Sequence, residues 1–225
     1  MKKYELTAEF IEKWGKKLFR IKALISFGSV EVGELGGYVE KEDNLAQDGN
    51  AWVYGNARVC GDAEVYGDAR VCGNAEVYGD ARVCGNAEVY GNAEVYGNAR
   101  VYGDAEVYGD AWVYGNAEVY GNARVCGDAE VYGDAKVCGD ADYLLIGRIG
   151  SRFSFTTFFK NKDKGITVSC GCFLGTIAEF RAKVSDTHGN NKHAKIYNLA
   201  ADMAELQILG EEYFDKLNTN KSEPF

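Results

Sequence analysis

Proline occurs once in 225 residues, and histidine and methionine twice each. Such a scarcity of proline excludes a stiff proline-rich linker. Set against 28 glycines, it indicates a regular backbone with many special turns, not a disordered chain. No run of 18 or more apolar residues exists, so no membrane-spanning helix is expected. The opening Met1-Lys2-Lys3-Tyr4-Glu5 lacks the apolar stretch and small-residue cleavage site of a secretory signal, so a cytoplasmic location is expected. In that compartment the seven cysteines read as free thiols.

Charge is short of one sign in one place only. Residues 51–140 carry 15 acidic and 6 basic side chains, which accounts for the whole net charge of −9. A surface of that sign repels phosphate backbones, so nucleic acid is not expected as a partner of this region.

The same region is periodic. Valine recurs every six residues from Val53 to Val137, with an alanine two residues before it and a glycine two residues after it. Asn or Asp follows each glycine, giving fifteen units of Ala-x-Val-(Tyr/Cys)-Gly-(Asn/Asp). Alanine and valine two apart share one strand face, and that uniformly apolar face must lie inside. Gly-(Asn/Asp) supplies a turn, because both residue types tolerate positive φ. Three strand-and-turn units close a triangular coil of eighteen residues, and five coils at ~4.8 Å per rung make a prism about 24 Å long. Residues eighteen apart then stack. Arg58 lies over Glu76, Arg70 over Glu88 and Arg100 over Glu118, while Tyr78, Tyr96, Tyr114 and Tyr132 form a column. No two of Cys60, Cys72, Cys84, Cys126 and Cys138 are eighteen apart, so disulfides between rungs are not expected.

This spacing, an aliphatic residue followed four positions later by a small one (Val53 and Ala57, and every pair after), resembles the hexapeptide-repeat family. The resemblance covers about 90 residues. Tyr or Cys directly after the valine departs from it, since the family often has glycine there. It implies a mainly β fold, a left-handed parallel β-helix, and a homotrimer, for which outward Tyr, Trp52 and Trp112 offer contact surface. It also implies acyl transfer, by a histidine base and loops that interrupt the coils. Here the coils contain neither, so a non-catalytic protein is expected, with an acyltransferase-like enzyme as the alternative.

Three segments follow: an N-terminal cap over 1–50, the β-helix over 51–141, and an α+β module over 142–225. An open strand edge needs a cap. Residues 5–19 are expected to form a short helix with Thr7 as its N-cap, and residues 18–24 and 29–32 short strands. Val39 and Leu45 are six apart, then the register slips by two before Val53, which predicts an imperfect first coil. In the tail, residues 143–149 are strand-like, and 153–159 and 166–174 form a hairpin. Thr176-Ile177-Ala178-Glu179 is a capping box that opens a helix ending at Gly189. A second helix runs from 192 to 209 or beyond. Its Ile196, Leu199, Met203, Leu206, Gly210, Tyr213 and Leu217 have seam-like spacing, either for packing on the hairpin or for joining subunits.

The tail strings Ile149-Gly150-Ser151-Arg152, Thr156-Thr157-Phe158-Phe159, Cys170-Gly171-Cys172-Phe173 and Thr187-His188-Gly189 resemble a terminal module of phage and prophage repeat proteins. Gly36-Gly37-Tyr38-Val39-Glu40 and Asn44-Leu45 resemble the same group. That implies a phage or prophage origin and a bacterial host cytoplasm, more than any activity.

The candidate ligand-binding residues are Arg148, Ser151, Arg152, Thr156, Thr157, His188 and His193. Arginine forks and hydroxyls suit a phosphate or carboxylate, and Phe153, Phe155 and Phe158 could stack on a base. Across a subunit boundary, the second helix would bring Arg148 and Arg152 of one chain near His188 or His193 of the next. Cys170-x-Cys172 with the two histidines invites a zinc reading. However, Ile166, Val168, Cys170, Cys172 and Leu174 alternate onto one face, which places both thiols in the core. No catalytic residue, metal or cofactor is assigned. The preferred reading is an oligomeric binding or scaffold protein whose tail holds a small anionic or nucleotide-like ligand, by sequestering a nucleotide signal for example, or a host protein. A purely structural spacer is a third reading.

Overall fold

The structure is a computed structural model that describes residues 1–139, 142–161 and 163–210. It divides into two compact units, Met1–Asp134 and Ala135–Phe225.

The first unit is a β-solenoid. Each hexad contributes a two-residue strand, from β4 (Trp52–Val53) at every sixth residue to β17 (Glu130–Val131). Preceding them are β1 (Tyr4–Lys13), β2 (Lys16–Ala23) and β3 (Leu35–Val39). The strands stack into three parallel sheets, ordered β3-β5-β8-β11-β14-β17, β4-β7-β10-β13-β16 and β6-β9-β12-β15. Neighbouring rungs are eighteen residues apart, as Val77, Val95 and Val113 show. Backbone hydrogen bonds run from each rung to the next. Glu94 N–H donates to Ala111 O at 2.9 Å, Tyr96 N–H to Val113 O at 3.0 Å and Asn98 N–H to Gly115 O at 2.8 Å. The alanines and valines from Ala51 to Val131 fill the interior and are sealed from solvent.

The turns explain the invariant glycine. Gly91 has φ +74°, and a Cβ there would lie 3.0 Å from the Gly109 backbone nitrogen. Stacked turns therefore leave no room for a side chain, quite apart from the backbone strain. The next residue forms a ladder of its own: Asn86 donates to Asp104 at 2.9 Å, Asn92 to Asp110 at 3.0 Å and Asn98 to Asn116 at 3.2 Å.

The imperfect first coil is present. Val39 lies beside Val59 and Leu45 beside Val65, each twenty residues apart, before Val53 and Val71 settle at eighteen. The two extra residues fall in the loop after Leu45, and buried Lys3 satisfies that loop. Its Nζ donates to the carbonyls of Asp48 at 3.1 Å and Ala51 at 3.0 Å. Tyr4 Oη lies 2.7 Å from the carbonyls of Glu42 and Leu45.

The N-terminal segment corrects the expected helix over 5–19. Leu6, Phe10, Ile11, Trp14 and Leu18 mimic helical spacing, but Trp14 (φ +52°) and Gly15 (φ +74°) make a two-residue turn that no helix accommodates. β1 and β2 pair antiparallel around it, and β2 pairs with β3, so the hairpin continues one face of the solenoid. It is clasped at its tip. Trp14 packs on Tyr78 at 5.0 Å, and Lys13 joins Arg58 in an ion pair with the nearly buried Glu76. Residues 29–32 are a turn with one bridge, Phe27 to Val30, where a strand was expected. The charged rungs sit as read: Arg58 bonds Glu76 at 2.7 Å and Arg70 bonds Glu88 at 3.2 Å, and Arg100 pairs with Glu118 in register.

The tyrosines stack face to face. Tyr78, Tyr96, Tyr114 and Tyr132 follow at 4.8, 4.8 and 4.6 Å with rings parallel within 6°. Loss of solvation, with help from Glu94, raises the pKa of Tyr78; loss of solvation, with Glu106, pushes Tyr90 up to about 12. Burial also raises Tyr4. Groups of raised pKa stabilise the fold fully below their unfolded value of 10.0, and that stability is lost as pH rises through the folded values. Lys3 acts oppositely. Burial lowers it to about 8 from 10.5, so between those values the unfolded chain holds a proton that the folded chain has released, and stability rises with pH. Burial pushes the Cys60 thiol from 9.0 up to about 11, which opposes Lys3 above pH 9, so the melting temperature should climb between pH 8 and 9 and fall beyond pH 10. Lys3→Met should abolish the climb and spare the fall; a midpoint flat across that range would contradict both assignments.

The second unit opens with β18 (Lys136–Val137). Four antiparallel strands follow in sequential order: β19 (Tyr143–Ile149), β20 (Ser154–Lys160), β21 (Ile166–Cys170) and β22 (Phe173–Thr176). The expected single strand over 166–174 is broken at Gly171, whose φ of +59° makes a tight turn. The face alternation fails there: Cys170 packs against the core, whereas Cys172 is exposed. Helices α1 (Ile177–His188) and α2 (Lys192–Leu209) cover the sheet. Phe158, Val168, Phe180, Val184, Tyr197 and Ala201 form the core between them. On α2 the buried residues are Ala194, Tyr197, Ala200, Ala201, Ala204 and Ile208. Ile196, Leu199, Met203 and Leu206 are exposed, so the seam does not pack on the hairpin. Tyr213 and Leu217 lie outside the described residues.

Candidate functional site

The second unit holds a cavity of about 270 Å³ lined by the β19–β20 turn, the β21–β22 turn and one face of α1. Its geometry follows from local chemistry. The Thr176 hydroxyl accepts from Glu179 N–H while the Glu179 carboxylate accepts from Thr176 N–H at 2.8 Å, the reciprocal cap the sequence predicts. From that start, Phe180 and Val184 face inward and Lys183, Thr187 and His188 reach the cavity edge. Asn191 caps α2, its Oδ1 accepting from His193 N–H at 2.8 Å and Ala194 N–H at 3.1 Å. Arg181 locks the two helices together through Asp202 at 2.7 Å and Glu205 at 2.6 Å.

Tyr197, buried on α2, is the hub. A Cβ at Gly150 would lie 1.8 Å from its hydroxyl oxygen, so only glycine lets the β19–β20 turn come down onto the ring. Burial of the hydroxyl, reinforced by the neighbouring Cys170, raises its pKa. Phe180 meets the Tyr197 ring edge-on at 5.6 Å, and His188 lies along it at 5.7 Å. Floor and rim therefore differ. The floor is Phe173, Phe180, Val184, Cys170 and Tyr197, and the rim carries Arg152, Lys183, His188, Ser151, Ser154 and Thr187. Among the described residues, no carboxylate lines the cavity. Such a site attracts an anion and shelters an attached apolar or aromatic group.

The structure brings Ser151, Arg152 and His188 together within one chain, which removes the need for a neighbour to complete them. The other expected residues are not part of the lining. Arg148 turns to the Phe155 ring, 5.7 Å from its guanidinium carbon. Thr156 is fully buried and donates to Cys170 Sγ at 3.2 Å, and Thr157 is buried in the same strand. His193 sits 5.8 Å from the His188 ring, off the cavity, with Nδ1 buried without a hydrogen-bond partner. Lys183, Thr187 and Tyr197 are not among the residues expected to bind. The signal was present: 180, 183, 184, 187 and 188 share a helical face. Among the described residues, no three His, Cys, Asp or Glu side chains cluster closely enough to hold a metal ion. No helix among them is long and apolar enough to cross a membrane.

Repeat and fold define a β-solenoid repeat protein with a small α+β module. Within it, residues 69–85 and 93–109 match the family model of the YdcK beta solenoid repeat. No curated protein matches the chain.

Proposed function

We propose that this is a non-catalytic, self-associating binding protein whose C-terminal module holds a small anionic ligand with an aromatic or apolar part, such as a nucleotide. The observation that carries this is the cavity itself: Arg152, Lys183 and His188 surround an aromatic floor, with no carboxylate among the described residues of the lining. A charge-assisted hydrogen bond contributes about 1.5–3 kcal/mol. Arg152→Ala should therefore weaken binding of adenosine monophosphate by tenfold or more in a calorimetric titration, and Lys183→Ala by less. Native mass spectrometry of the purified protein would identify any ligand it retains. Full affinity in Arg152→Ala would move the site elsewhere.

Self-association rests on α2. Leu199 and Met203 are 63% and 57% exposed, with Ile196 and Leu206 on the same stripe, and an apolar stripe at that spacing is the seam of a helical interface. A trimer fits the hexapeptide-repeat resemblance, and with it a left-handed coil and a phage or prophage protein working in a bacterial cytoplasm. Leu199→Glu with Met203→Glu should convert the oligomer to monomer in light scattering without lowering the melting temperature. A parent that is monomeric at micromolar concentration would end this part of the proposal.

A further inference from the structure

The solenoid carries a second cavity, about 220 Å³, lined by Tyr66, Arg82, Cys84, Arg100 and Tyr102. Its origin lies in the repeat. Tyr66, Cys84 and Tyr102 occupy one column on successive rungs, because their strands pair through Val65, Val83 and Val101. Elsewhere consecutive tyrosines stack at about 4.8 Å. Here cysteine replaces the middle ring, so the flanking rings are two rungs apart, roughly 9.5 Å at the usual strand spacing. That gap is one aromatic ring thick.

The charges beside the gap are both positive, and they stand in register on neighbouring rungs. A tyrosine hydroxyl in these ladders reaches the side chain sixteen residues on: Tyr78 donates to Glu94 at 2.8 Å, Tyr90 to Glu106 at 3.0 Å and Tyr102 to Glu118 at 3.3 Å. Sixteen residues beyond Cys84 stands Arg100, in register with Arg82 on the rung before. Glu64 approaches Arg82 at 3.8 Å. Among the described solenoid rungs, this is the only place where two cations face each other. Like charges on neighbouring strands disfavour folding; Glu64 stands on the far side of Arg82 and Glu118 on the far side of Arg100, so the two cations meet each other only at the mouth of the gap.

We propose that this gap is a binding site for a small planar aromatic anion, whose single ring takes the place of the missing tyrosine between Tyr66 and Tyr102 while its phosphate or carboxylate group meets Arg100 and Arg82. Stacking supplies the ring's share of the affinity and the guanidinium pair the charge's share. The site is independent of the cavity in the C-terminal module.

The test fills the gap with the repeat's own residue. Binding of 4-nitrophenyl phosphate is followed by titration in an Arg152→Ala background, so that the other cavity contributes little. Cys84→Tyr should melt at or above the temperature of that background protein, because it completes a ladder seen elsewhere in the fold, and should weaken binding more than tenfold. Arg100→Gln, a surface change, should weaken binding about tenfold and flatten its dependence on salt. Inorganic phosphate, with the charge but no ring, and nitrobenzene, with the ring but no charge, should each bind at least tenfold more weakly. Absence of binding by the background protein overturns the proposal. So does equal binding by Cys84→Tyr, or by inorganic phosphate and the aryl phosphate. If Cys84→Tyr fails to fold, Arg100→Gln decides, since undiminished binding there also overturns it.

Discussion

Val95→Asp should unfold the solenoid, while its neighbour Glu94→Ala melts close to the parent. Val95 is sealed from solvent between Val77 and Val113 of adjoining rungs. A carboxylate there has no donor within reach, because the backbone N–H groups of its own and the adjoining rungs are committed to the ladder. Burying it uncompensated costs at least 4–5 kcal/mol, roughly half the stability of an ordinary domain. Protonation of the new side chain would lessen that cost without erasing it. Glu94 points outward, is partly exposed and gives up one hydrogen bond to its carboxylate, from Tyr78, at about 1.5 kcal/mol, the lower end for a charged acceptor. It also stands in register with Glu76, so its removal relieves a like-charge contact. Urea denaturation followed by circular dichroism separates the two outcomes. Equal melting of both variants would mean that the inside and outside of the coil are assigned wrongly.

Trp52→Ala should cost about 3–5 kcal/mol, the usual range for deleting a buried tryptophan. The x position of the hexad faces outward, and charged residues fill most of its places. At the first hexad it is Trp52, with no exposed surface, held edge-on by Tyr4 at 6.0 Å and Phe27 at 5.3 Å. Trp112 occupies the same position and is 41% exposed. Its replacement by alanine should change stability by less than about 1 kcal/mol. The contrast tests whether the first fifty residues are a true lid on the first coil. Hydrogen exchange in Trp52→Ala should accelerate through Lys3, Tyr4 and the loop after Leu45 before the later rungs respond. Uniform acceleration along the solenoid would assign Trp52 a different role.

The solenoid was legible because one period governs local conformation, burial and pairing at once. Ala and Val alternate inward, glycine fixes the turn, and eighteen residues set the register, so a single reading of the hexad predicts the rungs that Arg58, Arg70 and Arg100 join. The N-terminal hairpin was not legible in the same way. Its apolar residues satisfy helical spacing by coincidence, and the deciding fact is the left-handed turn at Trp14 and Gly15, where tryptophan is an unusual occupant. In the tail, the capping box at Thr176 located α1, because that motif is satisfied within four residues. The site depends on longer connections. Arg152 and His188 were singled out for their chemistry, and the fold joins them. Thr156 was singled out for its hydroxyl, which the fold spends on Cys170. Tyr197 organises the cavity through a contact with Gly150, and nothing in the spacing of either residue announces the other.

The eighteen-residue coil also constrains how such a gene can change length. Deleting one coil's worth of codons splices rung onto rung, so every side of the prism keeps its own column, and the interior, the glycine turns and the three-fold sequence of faces survive. Deleting a single hexad leaves the interior equally intact, because every hexad offers the same alanine and valine. Outside, however, each later unit rotates onto the next side. Tyr96 and Tyr114 would then continue a different column, and carboxylates would be redistributed among the arginines. The core tolerates insertions and deletions of one hexad, whereas the outer surface tolerates only those of three. Among chains built on this repeat, length polymorphism that spares surface function should therefore come in whole coils, and an odd hexad gained or lost would mark a lineage in which the faces had been released from selection.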